Sequence, residues 1–408
     1  MNNTYVVRAR KIVTVTDTGT INDGAMVING GKITSIGQWS VVKKQFPSLP
    51  VVDYSDYVLT PSLVDCHTHL LEFAPSSLYP ITAETQILAG KSILLNALTS
   101  GITALGEQVC GHPMSPFSMG DYRSVVKGLP MDISFAAVSI SIGFSELAHF
   151  SAITKSKVIQ KSDLIDPSYV HQLAKQNEYP GENLFINATP ANFTEEMVPR
   201  AGEMIYSLKE LKQIVTIYHQ YNKKIGVHVA GEEGIQMCMN AGVDVLHHAH
   251  GISDEQIEEA TARGIEIIAT PLGGTHLEPN SPENIAKLVQ HQVPLSIATD
   301  AYLPSYPNVS WLPFPNHSLQ GTDVFMKIAQ PGMKQLAKVG YGENEILALI
   351  TANPAAVLGK ENQFGQLKKG MDGNFLITKG IPGLEITDPE EVKAVYFKGK
   401  KVINRIKR

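Results

Sequence analysis

The chain carries two rhythms of hydrophobic and polar positions. Residues 1 to about 57 are short β-rich runs (Tyr5 to Val7, Ile12 to Val15, Ala25 to Ile28, Ile33 to Ile36) separated by turn signals such as Asn22-Asp23-Gly24 and Asn29-Gly30-Gly31. That spacing predicts a small antiparallel module. From Val58 the pattern becomes an apolar strand, a loop and a longer helical segment, repeated several times, which is an α/β arrangement. Strand candidates fall at 58–69, 101–108, 132–140, 183–189, 225–230, 243–250, 265–271 and 294–300. Eight strands separated by helical pieces predict a (β/α)8 TIM barrel over 58–359 rather than an open sheet. A loop rich in proline and aromatics, Tyr302 to His317, follows, and a helix is expected near Glu343 to Thr351. Residues 360–408 return to hairpin-like β, so both ends, 1–57 and 360–408, are expected to pair into a small β-sandwich flanking the barrel.

Four of the strand ends carry chemistry. In Val64-Asp65-Cys66-His67-Thr68-His69-Leu70 an extended backbone puts His67 and His69 on one face, which is half a metal site. Ile225-Gly226-Val227-His228-Val229-Ala230-Gly231 sets a histidine in a short strand before a turn and a new helix. In Val245-Leu246-His247-His248-Ala249-His250-Gly251, period-two alternation puts His248 and His250 on one face and His247 on the other. Pro294-Leu295-Ser296-Ile297-Ala298-Thr299-Asp300 ends an apolar strand in an acid that is expensive to hold there unless paired or bound to a cation.

Composition narrows the function classes. At 408 residues and 43% hydrophobic, the chain can build one large domain with an accessory module. Its 34 basic and 39 acidic residues are interspersed and sum to -5, which argues against nucleic acid or an anionic membrane; the expected partner is a small-molecule substrate. Cys66, Cys110 and Cys238 form no Cys-x-x-Cys pair, so neither a disulfide framework nor a thiolate zinc site is expected, and Cys66 reads as core. The N-terminus lacks the apolar core of a signal peptide and no run of about 18 uncharged apolar residues occurs, so the expected location is cytoplasmic.

With these residues in view, the chain resembles the amidohydrolase superfamily, and within it the imidazolonepropionase-related and prolidase-like metal-dependent hydrolases. The likeness spans nearly the whole chain. It rests on Val64-Asp65-Cys66-His67-Thr68-His69, on His228-Val229-Ala230-Gly231-Glu232-Glu233-Gly234-Ile235, on Ala241-Gly242-Val243-Asp244 leading to His248, on Ala298-Thr299-Asp300 and on Thr351-Ala352-Asn353-Pro354-Ala355-Ala356-Val357-Leu358-Gly359. The resemblance implies that His67, His69, His228 and Asp300 bind metal, and that His248 binds a second metal or the substrate. Neutral imidazoles with one carboxylate suit Zn²⁺ and leave a position open for water. The reaction implied is hydrolysis of a carbon–nitrogen amide bond, linear or cyclic, by metal-bound hydroxide, with Asp300 carrying the proton and His248 polarising the carbonyl.

The sequence departs from the resemblance at two positions. Where prolidase-like relatives carry a lysine that is carboxylated to bridge two metals, strand four has Asn187, and an amide cannot form a carbamate. One tightly held zinc per chain is therefore expected, with a second site weak or empty. At strand two Gly106-Glu107 replaces the Arg-Asp pair of relatives, making Glu107 a candidate for the site. His276 and His317 lie in loops on the side where barrels build their sites, as do Tyr302, Tyr306, Trp311 and Phe314, and the pattern gives His250 no role. His112, His149, His171, His219 and His291 read as ordinary. The runner-up activity is deamination of an aminated heterocycle, which the superfamily also performs. Its proton-shuttling glutamate would stand three residues after His228, where this chain has Gly231 and only then Glu232. A scaffold that lost its chemistry is the third reading, and the retained ligand set argues against it.

Overall fold

The computed structural model describes residues 4–73, 83–108, 119–135, 139–140, 161–176, 184–190 and 200–406. Cys110, His112 and His149 lie outside the described residues. Four strands open the chain: β1 (Tyr5–Val13), β2 (Thr20–Asn29), β3 (Lys32–Gln38) and β4 (Val51–Pro61). Gly30 and Gly31, at φ 57° and 85°, turn β2 back onto β3 through backbone that side chains rarely adopt. The next nine strands are β5 (Leu63–Thr68), β6 (Ile102–Glu107), β7 (Asp132–Phe135), β8 (Ser139–Ile140), β9 (Leu184–Asn187), β10 (Ile225–Ala230), β11 (Val245–His250), β12 (Glu266–Ala269) and β13 (Leu295–Ile297). A short ribbon, β14 (Leu303–Pro304) with β15 (Leu319–Gln320), lies in the aromatic loop, and β16 (Phe375–Thr378), β17 (Val392–Phe397) and β18 (Lys400–Asn404) end the chain.

Both ends of the chain share one seven-stranded sheet, in the order β18-β17-β16-β4-β1-β2-β3. β4 is its pivot, parallel to β1 and antiparallel to β16. The expected strand 58–69 therefore divides: Val58 to Pro61 complete β4, and β5 starts at Leu63. Burial runs unbroken across this point, and the two faces of β4 feed different cores. Val58 belongs to the large cluster beneath the helices, whereas its neighbour Leu59 packs with Ile12, Met26, Phe375 and Ile377 in the terminal sheet.

All pairings among β5 to β13 are parallel. β5, β6 and β7 form one sheet, and β8 to β13 form a second in chain order. Near-continuous burial of β5, β6, β10 and β11 fits parallel strands covered on both faces. The end of the second sheet lies beside the start of the first. There the Asp300 N–H donates to the His67 carbonyl at 3.0 Å, and Thr68 bridges Ala301 in parallel. Helices between the strands begin at legible caps: Ser207 and Ser253 each close a capping box with a side chain three residues on. No helix among the described residues is long and apolar enough to cross a membrane.

Candidate metal centre

The carboxyl ends of β5, β6, β9, β10 and β11, with the turn after β13, bring His67, His69, Glu107, Asn187, His228, His247, His248, His250 and Asp300 to one end of the parallel strands, and all of them are buried. Asp300 is the centre. Its Oδ1 lies 3.1 Å from His67 Nε2 and 3.2 Å from His69 Nε2, and its Oδ2 lies 3.7 Å from His248 Nδ1. Burial alone would push this carboxyl up, but His67, His69 and His248 reverse the sign and hold it well below the usual carboxylate range. An ionised carboxylate thus sits in the interior, and its ion-pair partners among the described residues are imidazoles.

Burial pushes the imidazoles the other way, toward the neutral form that a metal requires. His228 falls to about 3 and His250 to about 4, with His67, His247 and His248 also lowered by burial. Hydrogen bonds then select which nitrogen keeps its proton. His69 Nδ1–H donates to the Gln108 carbonyl at 2.7 Å, so Nε2, the nitrogen facing Asp300, is the one that would give a lone pair to a cation. The Thr270 hydroxyl donates to the Gly273 carbonyl at 2.7 Å, so it accepts from His248 Nδ1–H at 2.8 Å. His228 Nε2–H reaches the Gly274 carbonyl at 3.2 Å, while its Nδ1, though buried, has no hydrogen-bond partner.

One ligand atom each from His67, His248 and Asp300 lies within 4.8 Å of the others, the separation a shared ion needs. His69 joins them through Asp300. His228 is brought against His248, with ring centroids 4.6 Å apart, rather than onto the carboxylate. Asn187 pairs in register with His228 on the neighbouring strand and so shares its face. Glu107 is engaged by the chain: its two oxygens accept from the Thr68 hydroxyl at 2.7 Å and the Leu71 N–H at 2.8 Å, tying β5 to the short helix Leu70–Phe73. His250 is held by Thr275 at 2.7 Å. His317 is exposed and His276 half-buried, with its carbonyl accepting from Tyr306 at 3.2 Å. Trp311 and Phe314 pack the long loop onto Leu272, Leu312 and Ile328. Cys66 lies in an apolar cluster with Val64 and Ala104, where burial pushes its thiol well up.

Alternation along β11 fails where it matters. His247 was expected to face away from His248, yet its Nδ1 lies 2.6 Å from His67 Nδ1. His248 and Ala249 have φ 71° and 48°, and the register with β10 shifts just there, so consecutive side chains reach the same centre. Sequence reasoning also missed two residues with a findable signal. Asp65 accepts from the Thr299 hydroxyl at 2.6 Å and the Thr299 N–H at 3.2 Å, clamping the His67 strand to the Asp300 turn. The cost of burying an acid in an apolar run, which singled out Asp300, applies equally to Asp65. Gly274 passes over the centre at φ 114°, where an added Cβ would stand 2.5 Å from Asp300 Oδ2 and 2.6 Å from His248 Nδ1. The adjacent pair Gly273-Gly274 after strand seven was its signal.

A model of the amidohydrolase family matches residues 58–402. The imidazolonepropionase of Bacillus velezensis is 22% identical over 417 aligned positions, covering 94% of this chain and 90% of that protein. A solved Xaa-Pro dipeptidase with methionine bound in its active site superposes with a TM-score of 0.71 at 17% identity, over 98% of this chain and 99% of that one. A zinc-bound adenosine deaminase from Xanthomonas campestris gives 0.68 at 14% identity, over 98% and 94%. Identities this low carry the fold alone, but the family model spans most of the chain and includes every residue around Asp300. The chain belongs to the amidohydrolase family.

Proposed function

We propose that this protein is a metal-dependent hydrolase of carbon–nitrogen amide bonds, whose two parallel sheets are arcs of one (β/α)8 barrel closed between the His67 strand and the Asp300 turn. One observation carries the reading: an ionised, buried carboxylate on which His67 Nε2 and His69 Nε2 converge at 3.1 and 3.2 Å. Two ring nitrogens and a carboxylate oxygen brought this close form a donor set that fits a cation. The unpartnered Nδ1 of His228 and the close approach of His248 fit the same need. We assign His67, His69, His228 and Asp300 as ligands and zinc as the metal, one per chain. When bound, the cation supplies Lewis acidity that brings the pKa of water down toward about 7.

The rest falls to the chain. Asp300, held as the anion, takes the proton of the attacking water and returns it to the departing nitrogen. His248 was expected to donate to the substrate carbonyl, but its Nδ1–H is committed to Thr270. Neutral and with that proton committed, the ring has no second N–H to offer the oxyanion. Glu107 is occupied by Thr68 and Leu71, and Asn187 cannot be carboxylated, so neither supplies the bridge a second dication needs to offset repulsion.

The deaminase reading loses its glutamate: Glu232 is exposed at the start of the helix Glu232–Ala241, on the far side of Gly231. The test is a panel of acyl amino acids, dipeptides, cyclic amides and aminopurines offered to metal-stripped protein before and after zinc is restored. Zinc-dependent hydrolysis confined to amides is expected. Ammonia release from aminopurines alone would replace this reading with the deaminase.

A further inference from the structure

We infer that His247 is the positioning residue for His67, its Nδ1 accepting the proton that His67 carries on Nδ1. The inference rests on the metal reading above. At 2.6 Å the two Nδ1 atoms need one proton between them, because two would collide and none would oppose lone pairs. When His67 gives its Nε2 lone pair to a cation, its proton must reside on Nδ1, and His247 is the acceptor in place. A neutral imidazole thereby does what a carboxylate or a backbone carbonyl does for other metal-bound histidines, and it adds no negative charge beside Asp300.

The neighbouring strand is shaped for this ring. His247 pairs in register with His228 across the ladder. Its Nε2 lies over Gly226, 2.7 Å from where a Cβ would stand, so any larger residue at 226 would displace the ring. The two rings meet at a centroid separation of 4.5 Å and both are buried, His67 completely. Left-handed backbone at His248 and Ala249 is what lets His247 and His248 both reach the centre.

Replacing His247 with leucine and with asparagine separates the hydrogen bond from the packing, since the two are close in size and asparagine keeps a polar atom near the place of Nδ1. Zinc affinity would be read by competition with a chromogenic chelator, alongside thermal melting of the metal-free proteins. H247L should bind zinc about 10- to 100-fold more weakly than the parent, the range found for lost outer partners of metal-bound histidines. H247N should keep most of the affinity, with melting temperatures of the two variants alike. Gly226→Ala, which displaces the ring without touching its chemistry, should weaken zinc in the same direction and serves if H247L does not fold. Unchanged affinity in H247L or, failing its folding, in Gly226→Ala, or equal losses in H247L and H247N, would overturn the positioning role while the parent still bound zinc. A parent that bound no zinc would overturn the metal reading and this inference together.

Discussion

On the proposed reading Asp300 and the imidazoles around it divide the labour between binding and proton transfer, and substitutions can separate the two. Asp300→Asn keeps an oxygen for the metal but cannot carry a proton, so most of the zinc should stay while kcat falls by roughly 10²- to 10⁴-fold. Near-normal turnover in that variant would remove Asp300 from proton transfer. His248→Ala should likewise retain zinc and lose rate, because its ring, fixed by Thr270, stands beside Asp300 without being one of the proposed ligands. A metal-free His248→Ala protein would make His248 a primary ligand. Acid should also weaken the metal-free fold. His67, His228, His247, His248 and His250 all have folded pKa values below that of a free imidazole, so below about pH 6.5 the unfolded chain takes up protons first and stability falls. Asp65, pushed up to about 7 by burial, and Glu107, also raised, pull the other way, but five imidazoles outweigh two carboxyls. Urea midpoints should drop steadily from pH 7 to pH 4, and flat midpoints would contradict the neutral assignment.

Among the elements, the strands that deliver the centre were legible because their apolar runs end in residues too polar to bury cheaply. The pairs His67/His69 and Ala298-Thr299-Asp300 stand out for that reason. What stayed hidden depends on tertiary geometry. A β-rich run across Pro61, interrupted only by Thr60 and Ser62, masked the division between β4 and β5, since two cores draw on its apolar residues at once. Alternation gave His247 the wrong face because nothing local announces left-handed φ at a histidine and an alanine. Glu107 looked available, and only the path of Leu70–Phe73 shows it occupied. The loop after β12 is the element most open to test. Gly274→Ala adds both a Cβ against Asp300 and His248 and strain at φ 114°, costing on the order of 1–3 kcal/mol if the loop holds its place. We expect lower zinc affinity and lower stability together. An unchanged protein would mean that the loop does not cover the centre in solution.

At the scale of the molecule, chain ends separated by more than three hundred residues meet in one sheet through β4, and that sheet leads directly into the strand bearing His67 and His69. The fold therefore fixes the first two candidate ligands from one side and Asp300 from the other, with Asp65 and Thr299 clamping the two edges together. The central claim is that this junction holds one zinc ion that hydrolysis needs. Elemental analysis after gentle dialysis, performed beside an amide-hydrolysis assay, measures it most directly. One equivalent of zinc per chain, lost together with activity on chelation and regained with it, is the predicted result. Two equivalents retained would show a bridging group where Asn187 and Glu107 stand, and activity that persisted in metal-free protein would contradict the account.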